Sequence, residues 1–430
     1  MAASPQHSTE LGGADWFLIA VERMMRAAGQ GAHVGLTILH VGPGFDLDRF
    51  RSAVGRLAAE SSISKARLTK APLGVPSWSW DVATRAEFPV CLHDGEGNWT
   101  EIAHRILGES DASPIRFDVI PSRTGHTILF RWLHVLLDGK GAELLLAEIA
   151  RLAADPALSA KPDSWGHQTP KPKGWRAIRG EAERFKDHFY VLSKQGIRSL
   201  GGVAPRAGAP RFHVDEFSVD ETMRITARAA DVSRGMFQIG WFLAATMRAH
   251  LRVLEARGEK TDSFQSGCAV QERKRGARHP IWQNQVSQLF FCLRPSELGD
   301  LAAAATALQT QFTEMSRNRL EVAFAVMARL FRRLPAWFYL RMLRRNSGGH
   351  LTSFFFSHTG EFLPECAEFC GAPVEHGWHI PTVSQPPGTG IFFGQRGGKM
   401  TATFSWREGV LKEGELELLR RSIREDLLGV

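Results

Sequence analysis

An almost unbroken apolar run, Thr127–His134, constrains this chain more than any other segment. Its composition predicts a strand buried on both faces, which requires packed layers above and below it. One layer follows at once: Glu143–Ala153 carries Leu145, Ile149 and Leu152 on one side at helical spacing. Between strand and helix lies His134-Val-Leu-Leu-Asp138-Gly139. A junction of this kind presents a side chain into a cleft while holding it rigidly.

The rest of the chain alternates in the same way. Asp15–Ala27 and Leu47–Ala58 have helical spacing, with a strand at Val34–Val41 between them. Periodicity stops from Asp155 to Trp175, where Pro156, Pro162, Pro170 and Pro172 join Gly166 and Gly174 in a connecting segment. We place a domain boundary there, giving an N-terminal domain over 1–165 and a C-terminal domain over 166–430. The second half reads as a helix at Glu181–Ser193, a strand at Phe212–Val219, and helices at Glu221–Ala230 and Arg234–Ala256, with Ser233 as N-cap of the latter. Strands follow near Phe264–Gln271 and Val286–Leu293, then long helices through Arg333. Strands at Thr352–Ser357, Gly390–Gln395 and Met400–Trp406 precede a closing helix, Glu413–Leu428. The pattern is that of an α/β (α+β) protein with mixed sheets in two domains.

At 430 residues the chain is long enough for two cores, and 43% hydrophobic with 23% charged residues is ordinary globular composition. No apolar run approaches the roughly 20 residues that span a bilayer, and Met1–Glu10 has no signal-peptide pattern. A cytoplasmic location is therefore expected. The net charge of +8 favours an anionic partner. The basic residues are dispersed and carry no nucleic-acid-binding signature, so nucleic acid is not expected. Five cysteines make no disulfide framework. Cys366 and Cys370, near His376 and His379, lack the tight pairing of structural zinc sites and read as thiols beside loop histidines; no metal is assigned.

The motif at the junction suits proton transfer. Histidine titrates near neutral pH, Asp138 can orient the turn, and Gly139 allows backbone geometry closed to other residues. Spacing alone leaves two readings, a catalytic base and a satisfied structural histidine. Placement between buried strand and helix favours the base.

Thr127–Leu146 resembles the signature of the CoA-dependent acyltransferase superfamily, which includes chloramphenicol acetyltransferase, plant BAHD enzymes, condensation domains and wax ester synthases. Ala14-Asp-Trp-Phe-Leu18 looks like the opening of wax-ester-synthase-type members. Ser357-His358-Thr359-Gly360 looks like their Ser-Asn-x-Gly segment. Val270-Gln-Glu-Arg273 followed by Asn284 is similar to a second-domain strand carrying an Arg and later an Asn. The resemblance implies two chloramphenicol-acetyltransferase-like domains with an active-site tunnel between them and His134 at its centre. It implies that His134 deprotonates a hydroxyl or amine acceptor, which attacks an acyl thioester delivered by CoA or an acyl carrier protein. That thioester is a co-substrate, and no resident cofactor is expected. Asp138 and Gly139 are implied to be structural, with Arg273 as partner of Asp138; Asn284, Ser357 and His358 are tunnel candidates. Leu133 stands where double-His members have their first histidine, which shifts the likeness toward single-His members. A rival reading is a non-catalytic member that recruits a carrier protein or partner enzyme in a biosynthetic assembly. A third keeps the fold but dehydrates or cyclises a tethered chain.

Three further segments remain. Gly388–Gly394 leads into a strand, the wrong context for dinucleotide binding. His93-Asp94-Gly95 reads as a hairpin turn. Arg329–Arg345 holds six arginines among Leu, Phe and Trp with no acid. It reads as two helices broken at Pro335, their arginines solvated, with a membrane surface or acyl carrier as a sharper alternative.

Overall fold

The structure, a computed structural model, describes residues 6–70, 74–81, 86–95, 97–109, 113–162, 165, 174–273, 281–345 and 347–430. Two mixed sheets dominate it. The first has six strands in the order β12 (Glu368–Phe369), β13 (Ala372–Pro381), β2 (Val34–Val41), β7 (Gly125–Leu133), β6 (Ile115–Ser122) and β5 (Val90–Leu92). The second has β11 (Phe355–Glu361), β14 (Thr389–Arg396), β15 (Lys399–Arg407) and β8 (Pro210–Glu216). A ribbon of β9 (Phe264–Gln271) and β10 (Val286–Leu293) and a small sheet of β1 (Gln6–Glu10), β4 (Ser77–Asp81) and β3 (Arg67–Thr69) complete the strands.

The apolar run forms β7, buried from Thr127 to Trp132. Ile128, Phe130 and Trp132 pack into a core with α1 (Gly13–Ala27), α2 (Leu47–Glu60) and α4 (Gly139–Ala154). Leu129 packs on the opposite face against α3 (Trp99–Gly108) through Ala103, Ile106 and Leu107. Both faces are thus covered, as a run apolar at nearly every position requires. The second sheet carries its own core with α6 (Val219–Ser233), α7 (Ile239–Ala256), α8 (Leu301–Arg317) and α11 (Glu415–Leu428). The helices α5 (Trp175–Ser193), α9 (Leu320–Phe331) and α10 (Ala336–Arg345) lie against α1 and the ribbon.

Several expectations change. The connecting segment holding the proposed domain boundary lies partly outside the described residues, at 163–164 and 166–173. Residues 368–381 of the second half join the first sheet, where β13 pairs antiparallel with β2, Thr37 opposite His379 and Ile38 opposite Trp378. His376 and His379 are therefore strand residues, not loop histidines. Asp94-Gly95 is not a hairpin tip. It leads from β5 into α3, and because β5 runs parallel to β6 the connection needs a crossover. Ser233 is not the N-cap of α7 but the last residue of α6, its hydroxyl donating to the Ala229 carbonyl at 2.6 Å. Arg234 and Gly235, at φ 49° and 75°, turn the chain before α7 begins.

Candidate active site

A cavity of about 890 Å³ lies between the first sheet, the ribbon and the second sheet. Pockets of this size hold most of a small ligand's surface. His134 lines it from the end of β7, and His33, Trp132, Ser357, His358 and His379 line it from neighbouring strands and their ends. Phenylalanines of α5 and α9, including Phe185, Phe189 and Phe324, make one wall apolar.

His134 is held by its backbone at both ends. Its N–H donates to the His33 carbonyl at 2.9 Å, extending the β2–β7 ladder by one residue. The Asn284 carboxamide donates to the carbonyls of His134 and Val135, each at 3.0 Å. The ring is half-buried, since its uncovered part faces the cavity rather than bulk water. Nδ1 is withdrawn into protein, which leaves Nε2 as the ring nitrogen available to the cavity. Burial pushes the His134 pKa below its ordinary value, and its own carbonyl, the Asp138 carboxylate, the Leu137 carbonyl and Asn284 oppose that shift. The ring is neutral near pH 7 and able to accept a proton.

Asp138 is the N-cap of α4. One carboxylate oxygen accepts the Gly141 N–H at 2.6 Å; the other accepts Arg273 Nη1 and the Gln285 N–H, each at 2.9 Å. Arg273 also donates to the carbonyls of Ile281, Trp282 and Gln283. Asp138 thereby joins the start of α4 to a loop from the other half of the chain. The neighbouring Lys274, Arg275 and Arg278 lie outside the described residues.

Two site expectations need correction. Gly139 needs no special backbone: it is the first residue of α4, and an added Cβ would meet the His379 ring at an ordinary 3.5 Å. The glycine that close approach demands is Gly141, whose Cβ would stand 1.9 Å from the Trp282 carbonyl oxygen. Asn284 is buried behind the cavity wall, and its amide is spent on the His134 backbone rather than on the tunnel surface. Ser357 and His358 do reach the cavity. Burial lowers the His358 pKa to about 4, and its ring packs 4.6 Å from that of Phe242.

The structure adds residues that the sequence reading did not assign to the site. The His33 ring lies 4.8 Å from the His134 ring, tilted by 42°. Its pKa is held well below the ordinary value by burial first, then by His134 and Arg407. The second imidazole beside His134 thus comes from the start of β2, not from position 133. Extending the antiparallel pairing Val34↔Leu133 by one residue identifies it. A buried hydrogen-bond chain also flanks His134. Trp132 Nε1 donates to Thr37 Oγ1 at 3.1 Å, Thr37 Oγ1 meets His379 Nδ1 at 2.9 Å, and His379 Nε2 meets Glu143 Oε1 at 3.1 Å. Lys140 closes it with a 2.7 Å bond to Glu143. Trp132 in turn sets its ring edge-on to His134, 5.4 Å between centroids. Cys366 Sγ contacts the Glu368 carbonyl at 3.2 Å, and both ring nitrogens of His379 are engaged; among the described residues no group of three or more His, Cys, Asp or Glu side chains is placed to hold one metal ion.

This fold recurs in solved structures. The chain superposes on trichothecene 15-O-acetyltransferase from Fusarium sporotrichioides with a TM-score of 0.73, at 15% identity, over 98% of this chain and 95% of that one. The first condensation domain of the calcium-dependent antibiotic synthetase gives 0.69 at 14% identity, covering 98% and 96%. Polyketide synthase associated protein 5 from Mycobacterium tuberculosis gives 0.62 at 14%, covering 94% and 96%. The chain shares the fold of this acetyltransferase and this condensation domain. Its curated relatives include an uncharacterised protein from two strains of Mycobacterium tuberculosis, 28% identical over 277 residues, 60% of this chain. The match spans 62% of those relatives' length. No family model matches the chain.

Proposed function

We propose that the chain transfers an acyl group from a CoA or carrier-protein thioester to a hydroxyl or amine acceptor. The observation that carries this reading is the His134 ring, its backbone fixed by His33 and Asn284, lining the cavity between the sheets. In the reaction, His134 Nε2 takes the proton from the acceptor as its heteroatom attacks the thioester carbonyl carbon. The tetrahedral species collapses with cleavage of the C–S bond, and the thiolate leaves with the proton returned from the imidazolium. Atoms and charge balance without a resident cofactor, the thioester being a co-substrate. The likeness in fold to an acetyltransferase and to a condensation domain supports this reaction class. An acyl carrier protein is a candidate donor, a reading supported by the likeness to domains of a synthetase and to a polyketide synthase associated protein.

The test is turnover with a panel of acyl-CoAs and hydroxyl or amine acceptors. Replacing His134 with Ala is expected to lower transfer about 10²–10⁴-fold while leaving the fold intact. A folded His134→Ala protein with full activity overturns the reading. Stoichiometric binding of a carrier protein with no turnover in the native chain favours recruitment instead.

A further inference from the structure

The segment Arg329–Arg345 is only partly absorbed by the site. Tyr339 and Leu343 of α10 line the reaction cavity, whereas Trp337, Leu340, Arg341 and Arg345 face a second cavity of about 1340 Å³ on the other side of the helix. α10 is therefore a wall shared by both. Ala20, Met24 and Ala27 of α1 contribute apolar surface to the second cavity, and its other lining residues include Arg23, Lys70, Arg333 and Arg344, with no carboxylate among them.

Among the described residues the charge here is only partly neutralised from within. Arg329 and Arg332 pair with Glu10, and Arg344 is tied to the Gly349 carbonyl. Arg333, Arg341 and Arg345 make no ion pair among the described residues, and all three are exposed. Partial burial, with Arg23 nearby, lowers the Lys70 pKa, as expected where cations crowd without counter-charge. Large apolar side chains stand beside these cations: Trp337 is 70% exposed, Phe338 43% and Leu330 42%. Trp337 and Phe338 are in edge-to-face contact with ring centroids 5.7 Å apart. Exposed aromatics on a helix that also exposes arginines are the composition of a membrane-surface element, in which the apolar side chains enter the acyl boundary and the cations meet phosphates. An acidic protein would answer the charge but would not require Trp337 and its neighbours to project.

We propose that this face, formed by α10, the end of α9 and the adjoining turn of α1, docks on an anionic phospholipid surface. Docking sets the shared α10 wall of the reaction cavity against the lipid. Resting on the acyl-transfer reading, this places the cavity where a lipophilic acyl chain or acceptor is supplied.

The test is co-sedimentation of the full chain with phosphatidylcholine vesicles, alone or mixed with an equal part of phosphatidylglycerol, at low and high salt. Binding is expected to the mixed vesicles at low salt and to weaken as salt rises. The triple variant Arg333→Gln, Arg341→Gln, Arg345→Gln is expected to bind about a hundredfold more weakly. Trp337→Ala with Phe338→Ala is expected to weaken binding while leaving its salt dependence in place. The His134→Ala protein should bind like the native one, so a failure of the chemistry is read separately from a failure of docking. No binding to mixed vesicles at low salt, equal binding to neutral vesicles, or an unaffected triple variant each overturns the proposal. Capture of an acidic carrier protein through the same arginines, without vesicle binding, also overturns it.

Discussion

Arg273 Nη1 lies 2.9 Å from the Asp138 carboxylate, and both side chains are almost wholly withdrawn from water. This contact joins residues 135 positions apart and ties the N-terminus of α4 to the loop that carries Asn284. His134 sits between these two fixings. Its placement therefore depends on a loop from the other half of the chain.

Breaking that pair from one side leaves a buried charge without its partner. Asp138→Ala and Arg273→Ala are each expected to cost about 3–5 kcal/mol. Asp138→Ala also loses the helix cap, worth about 1 kcal/mol. Denaturant midpoints of the two single variants and the double variant test this. The double variant should lose clearly less than the sum of the singles.

The glycines of the motif separate cleanly. Gly141→Ala drives a Cβ into the Trp282 carbonyl and is expected to destabilise by at least about 1–3 kcal/mol. Gly139→Ala meets only ordinary contact with His379 and is expected to change stability by no more than about 1 kcal/mol. Thermal melts of the pair would contradict this account if the two behaved alike.

Activity should persist into mild acid. Because burial lowers the His134 pKa, the ring stays neutral at pH values where a solvent-exposed histidine is half protonated. The acid limb of kcat/KM is expected to inflect below 6.5, and an inflection at or above that value would contradict the assignment. Asn284→Ala, which frees the His134 carbonyl, is expected to lower kcat more than it changes KM.

Stability should fall on the acid side. His40, His250, His358 and His376 are held neutral by burial with pKa values of about 4. Their folded values lie below their unfolded ones, so the unfolded chain binds more protons as pH drops from about 6.5 to about 4. Stability is fully present above that window and declines through it, by up to about 1.4 kcal/mol per pH unit for each such histidine. Urea titrations across the range measure the slope; a flat profile would show that these rings are not buried in solution.

The sequence by itself determined the elements whose signal is local. Thr127–Leu133 had to be a doubly covered strand because it is apolar at nearly every position, and the helix after it follows from Leu145, Ile149 and Leu152. His134 stood out because a titratable residue ended that strand. Other parts lacked such a signal. β13 holds two prolines, two histidines and a glutamate, so it reads as loop until β2 provides a partner for its backbone. Position 33 resembles any other strand-end histidine until the β2–β7 register sets its ring against His134. Gly141 matters only because Trp282 passes close by, and Asn284 reads as a tunnel residue until its amide is seen on the His134 backbone. Periodicity and composition act over a few neighbouring residues. Register and close packing between distant segments act over the whole chain, so His134 could be singled out from the sequence while the contacts that bury it and fix its backbone were decided by the tertiary structure.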